Sequence, residues 1–182
     1  MKKAMLSAVA AVGVSFGASA QQANLVLDNS TSTNRLAAEA PGNWYTGTYG
    51  MEVWVLKGTE IPAGLNLSPA PGSGVLGYDA MQAAGFVKEA TYTNQFTAGP
   101  GLFKLGPLFM PDAHSGGTVI LALAAWNSGA PSWSAMRAST NQSTRAGIVV
   151  FQQPTTPLLA NPGIPARLAL DRDLVLTAVA KP

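Results

Sequence analysis

Residues 118–126, Thr-Val-Ile-Leu-Ala-Leu-Ala-Ala-Trp, form the most hydrophobic stretch after the first twenty residues, and their reading decides the fold. The run is too continuous for a strand with one wet face. Gly116-Gly117 before it and Asn127-Ser128-Gly129 after it leave less than the roughly ten to twelve residues of an ordinary helix. A fully buried β-strand is the reading that satisfies both constraints.

Working outward, residues 49–57 (Tyr-Gly-Met-Glu-Val-Trp-Val-Leu-Lys) alternate with period two. Met51, Val53 and Val55 share one face, and Glu52, Trp54 and Leu56 share the other. Both faces carry apolar groups, which predicts a central strand covered on two sides. Further short segments rich in β-branched or aromatic residues predict strands at 23–28, 86–96, 101–105, 147–152 and within 168–179, with Gly106-Pro107 closing the segment at 101–105. Residues 78–85 suit one or two helical turns ending at Gly85, and 132–139 a short helix or an irregular crossover. Pro62, Pro69 and Pro71 make 58–74 a turn-rich insert, and the proline-rich run 154–165 excludes regular structure.

About seven to nine short strands with no long helix is an all-β pattern, for which an antiparallel β-sandwich, Ig-like or jelly-roll-like, is the default. Alternation alone does not separate a sandwich from a closed barrel. An outer-membrane barrel is disfavoured, because its strands need about 9–11 residues with a lipid-facing band.

The beginning of the chain has its own logic. Met1-Lys2-Lys3 is basic, residues 4–16 are mostly apolar, and Gly17-Ala18-Ser19-Ala20 is small, the three zones of a secretory signal peptide. Cleavage after Ala20 leaves a single domain over 21–182 that is exported to the periplasm or beyond, with no later run long enough to span a bilayer as a helix. The chain has no cysteine, so a disulfide framework, a thiolate zinc site and a cysteine nucleophile are all excluded. Core burial alone must hold it together, and a chain of about 150 residues buries enough surface for that. Removing Lys2 and Lys3 with the leader leaves nine basic against nine acidic residues, so no long-range attraction to nucleic acid is expected.

Residues 125–135, Ala-Trp-Asn-Ser-Gly-Ala-Pro-Ser-Trp-Ser-Ala, follow the buried strand and its Gly116-Gly117 lead-in. Over roughly residues 49–152 the chain resembles small exported β-sandwich proteins of the Verrucomicrobia and related bacteria, many of which carry a C-terminal Pro-Glu-Pro (PEP-CTERM) sorting signal. The resemblance implies an exported β-sandwich of unspecified role. Such a signal would be a Pro-Glu-Pro motif, an apolar span and a basic tail, and the stretch up to Lys181-Pro182 shows none, which favours release over cell-surface sorting.

Chemistry has few parts to work with. His114, the single histidine, lies beside Asp112 and Ser115. Zinc wants at least three protein ligands, and adjacent Ser and His on an extended chain point apart, so Asp112 and His114 read as a polar loop before the buried strand. Asp171 and Asp173 flank Arg172 and read as a turn with solvated charges. The three Asn-x-Ser/Thr sequons, at Asn29, Asn66 and Asn141, are expected by chance in a chain of this composition. No P-loop can be built, because no glycine-rich run leads into a Lys-Ser/Thr pair.

Loop aromatics carry the best binding signal. Trp44 and Tyr45 lie in Ala40-Pro-Gly-Asn-Trp-Tyr-Thr-Gly47, and Trp133 follows Pro131-Ser132. Aromatics in such loops either stack on sugar rings or plug the ends of a sandwich. The sequence thus predicts a non-enzymatic exported structural or interaction protein without cofactor or metal. Its expected partners are extracellular polysaccharide or other surface proteins. The alternatives are a carbohydrate-binding module using Trp44, Tyr45 and Trp133, a hydrolase around Asp112 and His114, and assembly through an exposed sheet edge.

Overall fold

The computed structural model describes residues 25–58, 60–65, 73–110, 117–156 and 165–179. Asp112, His114, the leader over 1–20 and the sequon at Asn66 lie outside the described residues. In chain order the elements are β1 (Leu25–Asp28), β2 (Leu36–Ala38), β3 (Thr48–Leu56), α1 (Ser73–Ala83), β4 (Val87–Phe96) and β5 (Lys104–Leu108). They continue with β6 (Gly117–Trp126), α2 (Trp133–Ala138), β7 (Arg145–Thr155), β8 (Ala166–Arg167) and β9 (Leu174–Ala178).

The strands form an all-β sandwich. A three-stranded sheet, β5-β1-β8, packs on a six-stranded sheet of order β2-β9-β7-β6-β3-β4. The expected strand at 118–126 is β6, and it lies between β3 and β7 with both ladders antiparallel. Its continuous hydrophobicity now has a cause. Val119, Leu121, Leu123 and Ala125 join the cluster beneath the small sheet, whereas Ile120, Ala122, Ala124 and Trp126 join a second cluster on the opposite face. That outer cluster takes Tyr78 and Met81 from α1 and Trp133 and Met136 from α2. The helices therefore cover the face that an ordinary sandwich leaves wet.

β3 behaves as its alternation predicts, with Tyr49, Met51, Val53 and Val55 in the inner cluster and Trp54 in the outer one. Gly50 faces Trp126 across the β3–β6 ladder. A Cβ there would stand 2.3 Å from the indole Cε2, so only glycine admits the ring. Gly85 ends α1 at φ 87, the left-handed geometry expected of a helix terminus.

Five expectations are corrected. The sheets are mixed, because β1–β8 and β2–β9 pair in parallel. β5 runs through Gly106 and Pro107 instead of stopping before them, which an outer strand tolerates since Pro107 lacks only a donor. β7 likewise continues through Pro154 to Thr155. α1 spans eleven residues from Ser73, longer than the one or two turns predicted at 78–85 and overlapping the end of the supposed insert. The expected strand within 168–179 contracts to β9; Leu168 and Leu170 are buried in the inner cluster outside any strand, and the Leu168 N–H still donates to the Val26 carbonyl at 3.1 Å.

Candidate functional site

The chemically richest place among the described residues is the outer face of β3. Glu52 projects there from the middle of the central sheet and is 1% exposed. Its Oε2 accepts hydrogen bonds from the Trp54 indole Nε1 at 3.1 Å and the Tyr78 hydroxyl at 2.8 Å. Its Oε1 accepts the backbone N–H of Trp133 at 3.2 Å and lies 3.6 Å from Lys88 Nζ. A carboxylate offers about four acceptor positions, and here all are taken by the fold's own donors.

The donors come from four elements, and each is placed by local rules. Trp54 is two residues along β3 and so shares the face of Glu52. Lys88 on β4 stands opposite Trp54, with its ammonium 5.6 Å from the centre of that ring. Ser132 caps α2 by accepting the Ala135 N–H, which leaves the first helical N–H, that of Trp133, to point at Glu52. Tyr78 arrives from α1 and stacks on Trp133 with ring centres 4.9 Å apart and planes at 6°. Trp54 meets Tyr78 edge-on, and Trp126 meets Trp133 edge-on. Burial, followed by the bond and the negative charge at Glu52, pushes the Tyr78 hydroxyl well above its ordinary pKa.

This arrangement overturns one expected role. Trp133 was expected in a loop as a sugar-stacking aromatic; it is the first residue of α2 and is wholly buried between Tyr78 and Trp126. Its indole Nε1 has no hydrogen-bond partner. The Trp126–Trp133 pair, part of the stretch that carries the resemblance, is core packing, with Trp126 Nε1 closing the intervening loop on the Ala130 carbonyl at 3.0 Å.

Trp44 and Tyr45 lie elsewhere, and they diverge. Tyr45 packs on the inner cluster and donates to the Thr48 carbonyl at 2.7 Å. Trp44 is half-exposed and bridges Ala37, so it covers the outer side of the short strand β2. The Arg35 guanidinium lies 5.3 Å from its ring centre and occupies that face. Asp173 secures the neighbourhood by accepting the Arg35 N–H at 2.8 Å and the Gly42 N–H at 3.0 Å. Trp44, Tyr45 and Trp133 therefore form no common platform. Asp171 pairs with Arg172 at 2.9 Å, so the two aspartates at 171 and 173 serve different ends rather than one site.

A third polar group sits on the small sheet. Asp28 accepts the Ser30 N–H at 2.8 Å and faces Lys104 and Arg167 at 4.0 and 3.9 Å. Burial opposes its charge, but the Ser30 bonds and the two cations outweigh it and hold its pKa below the usual range. Asn29 is buried and spans Gly101 O and Phe103 N, which removes that sequon from solvent. Among the described residues no three His, Cys, Asp or Glu side chains gather as metal ligands.

Sequence reasoning placed Glu52 on a strand face but missed its role, because residues 52, 78, 88 and 133 meet only through the fold. One signal was available: a lone carboxylate inside an otherwise apolar central strand needs a buried partner. Comparison with protein-family models, with curated proteins and with solved structures finds no match to this chain.

Proposed function

We propose that this chain is an exported, non-enzymatic structural or interaction module that works in the periplasm, in an extracellular matrix or at a cell surface. The observation that carries this reading is the closed shell of Glu52. Among the described residues, the one cluster uniting carboxylate, phenol, amine and indoles spends its polar groups on tying α1, α2 and β4 to β3, with no acceptor position of Glu52 left for a substrate. Export rests on the three-zone leader of residues 1–20.

The test is turnover of ester, glycoside, peptide and phosphoester substrates by the purified exported protein, alongside its Glu52→Gln and His114→Ala variants. No turnover is expected; activity lost in either variant would defeat the reading. Polysaccharide recognition, the alternative, would have to work through Trp44, whose one face Arg35 already covers. Retention on insoluble polysaccharide that disappears in Trp44→Ala would establish it.

A further inference from the structure

The aromatic rings on the outer face of β3 form a series. Trp54 meets Tyr78 at 5.5 Å between ring centres, Tyr78 stacks on Trp133 at 4.9 Å, and Trp133 meets Trp126 at 6.3 Å. Rings this close exchange electrons readily, so an electron vacancy made at any one of them reaches the others. Charge and proton acceptors decide where it stops. An oxidised phenol or indole is a strong acid, and it retains the vacancy only where its proton can leave.

The surroundings set the rings apart. The Lys88 ammonium lies 5.6 Å from the centre of the Trp54 ring, and a cation over an aromatic face opposes loss of an electron. Trp133 is buried with no partner on Nε1, so its proton has no acceptor. Trp126 Nε1 meets the Ala130 carbonyl, a far weaker base than a carboxylate. Tyr78 is 4% exposed and donates to Glu52 Oε2 at 2.8 Å, while the Ser134 side chain bonds the same hydroxyl. The Trp54 indole reaches that carboxylate oxygen too, at 3.1 Å, but under the opposing charge of Lys88. Outside the series, Trp44 carries the Arg35 guanidinium 5.3 Å from its ring centre. Tyr45 donates to a backbone carbonyl and the Tyr49 hydroxyl has no partner. The chain has no cysteine, so no thiol competes for the vacancy.

We propose that the outer cluster is a one-electron redox site, at which Tyr78 is oxidised and Glu52 accepts its proton. The electron passes, directly or through the neighbouring indoles, to a one-electron oxidant of the export compartment such as an oxygen-centred radical. The Tyr78 O–H bond breaks and a new O–H bond forms at Glu52 Oε2. Phenol and carboxylate thus become phenoxyl radical and carboxylic acid. The pair loses its negative charge, which a buried setting favours. A one-electron reductant such as a hydroquinone reverses both transfers. Electron transfer requires no vacant acceptor position, so the closed shell of Glu52 that bars a substrate does not bar this chemistry. The inference goes beyond the structural or interaction role and does not depend on it.

Flash photolysis of the purified exported protein with ruthenium trisbipyridine and an electron-accepting quencher supplies the oxidant. Time-resolved absorption and electron paramagnetic resonance of freeze-trapped samples distinguish phenoxyl from indolyl radicals. The wild type is expected to end as a phenoxyl radical. Tyr78→Phe, which keeps the stacked ring, should lose that signal and show an indolyl radical, whereas Tyr92→Phe, at a half-buried tyrosine, should keep it. Because the proton acceptor is built in, the phenoxyl radical should form at a rate independent of buffer-base concentration. A wild type that ends on an indole overturns the proposal, as does a phenoxyl signal that survives Tyr78→Phe, one that vanishes in Tyr92→Phe, or a rate that climbs with buffer base. The buffer series uses the wild type alone, so it decides the matter even where a variant fails to fold.

Discussion

Replacing Glu52 by glutamine tests whether the buried carboxylate is the clamp that holds the helices on the sheet. Glutamine keeps the shape but has one acceptor oxygen and one donor amide. With its oxygen toward Trp54 and Tyr78, its NH2 meets the Trp133 N–H and the Lys88 ammonium, two groups that can only donate. Reversing the amide strands the Trp54 indole N–H instead, since the Tyr78 hydroxyl can turn to accept from the NH2. The better orientation loses one bond to a charged acceptor, about 1.5–3 kcal/mol, and leaves one buried N–H unpaired, about 1–3 kcal/mol. Lys88 is 43% exposed and water screens it, so its loss adds little. The expected destabilisation is about 2.5–6 kcal/mol, a large share of the roughly 5–15 kcal/mol of a typical domain. At about 2–4 °C per kcal/mol for a chain of this size, the midpoint should fall by roughly 5–24 °C. Urea unfolding followed by tryptophan fluorescence reports it directly, because Trp54, Trp126 and Trp133 line the outer cluster. A loss below about 0.5 kcal/mol, the size of an ordinary surface change, would refute the clamp.

Other substitutions probe the packing and the charges. Gly147→Ala would place a Cβ 2.0 Å from the Val175 carbonyl oxygen, a backbone atom with no room to yield, so β7 and β9 should separate and soluble yield should collapse. Tyr49→Phe removes a buried hydroxyl that has no partner and should be neutral or stabilising by up to about 1 kcal/mol in the same urea assay. Burial raises the Tyr49 pKa, and burial with the Glu52 bond raises that of Tyr78. Their contribution to stability is therefore complete below the ordinary value near 10 and declines as pH rises through the folded values, so ultraviolet titration should show two phenols ionising only with unfolding. Asp28 has the opposite sign: its lowered pKa stabilises the fold above the usual carboxylate range and is lost on acidification. Asp28→Asn should flatten the acid limb of a melting-temperature profile below about pH 4.

Where apolar residues were periodic and continuous, local reading was sufficient. Residues 49–57 and 118–126 are strands in any context that buries them, and Gly85 is a helix terminus because few residues other than glycine turn there. β2 escaped notice because Leu36-Ala37-Ala38 is too short to show alternation, and it exists as a strand only because β9 lies beside it. The parallel pairings are equally invisible, since hydrophobic alternation is the same whichever way a neighbour runs.

Composition and pattern alone thus determined an all-β chain without cysteine, with a net charge of only +2 and a strand that must be covered on both faces, because burial periodicity and residue chemistry are properties of contiguous residues. Tertiary structure decided what covers that strand, that Trp133 is core and not surface, and that Glu52 meets Tyr78, Lys88 and Trp133. Those groups are separated by as many as 81 residues. The partners of a buried charge are chosen by the path of the whole chain, and no local window contains them.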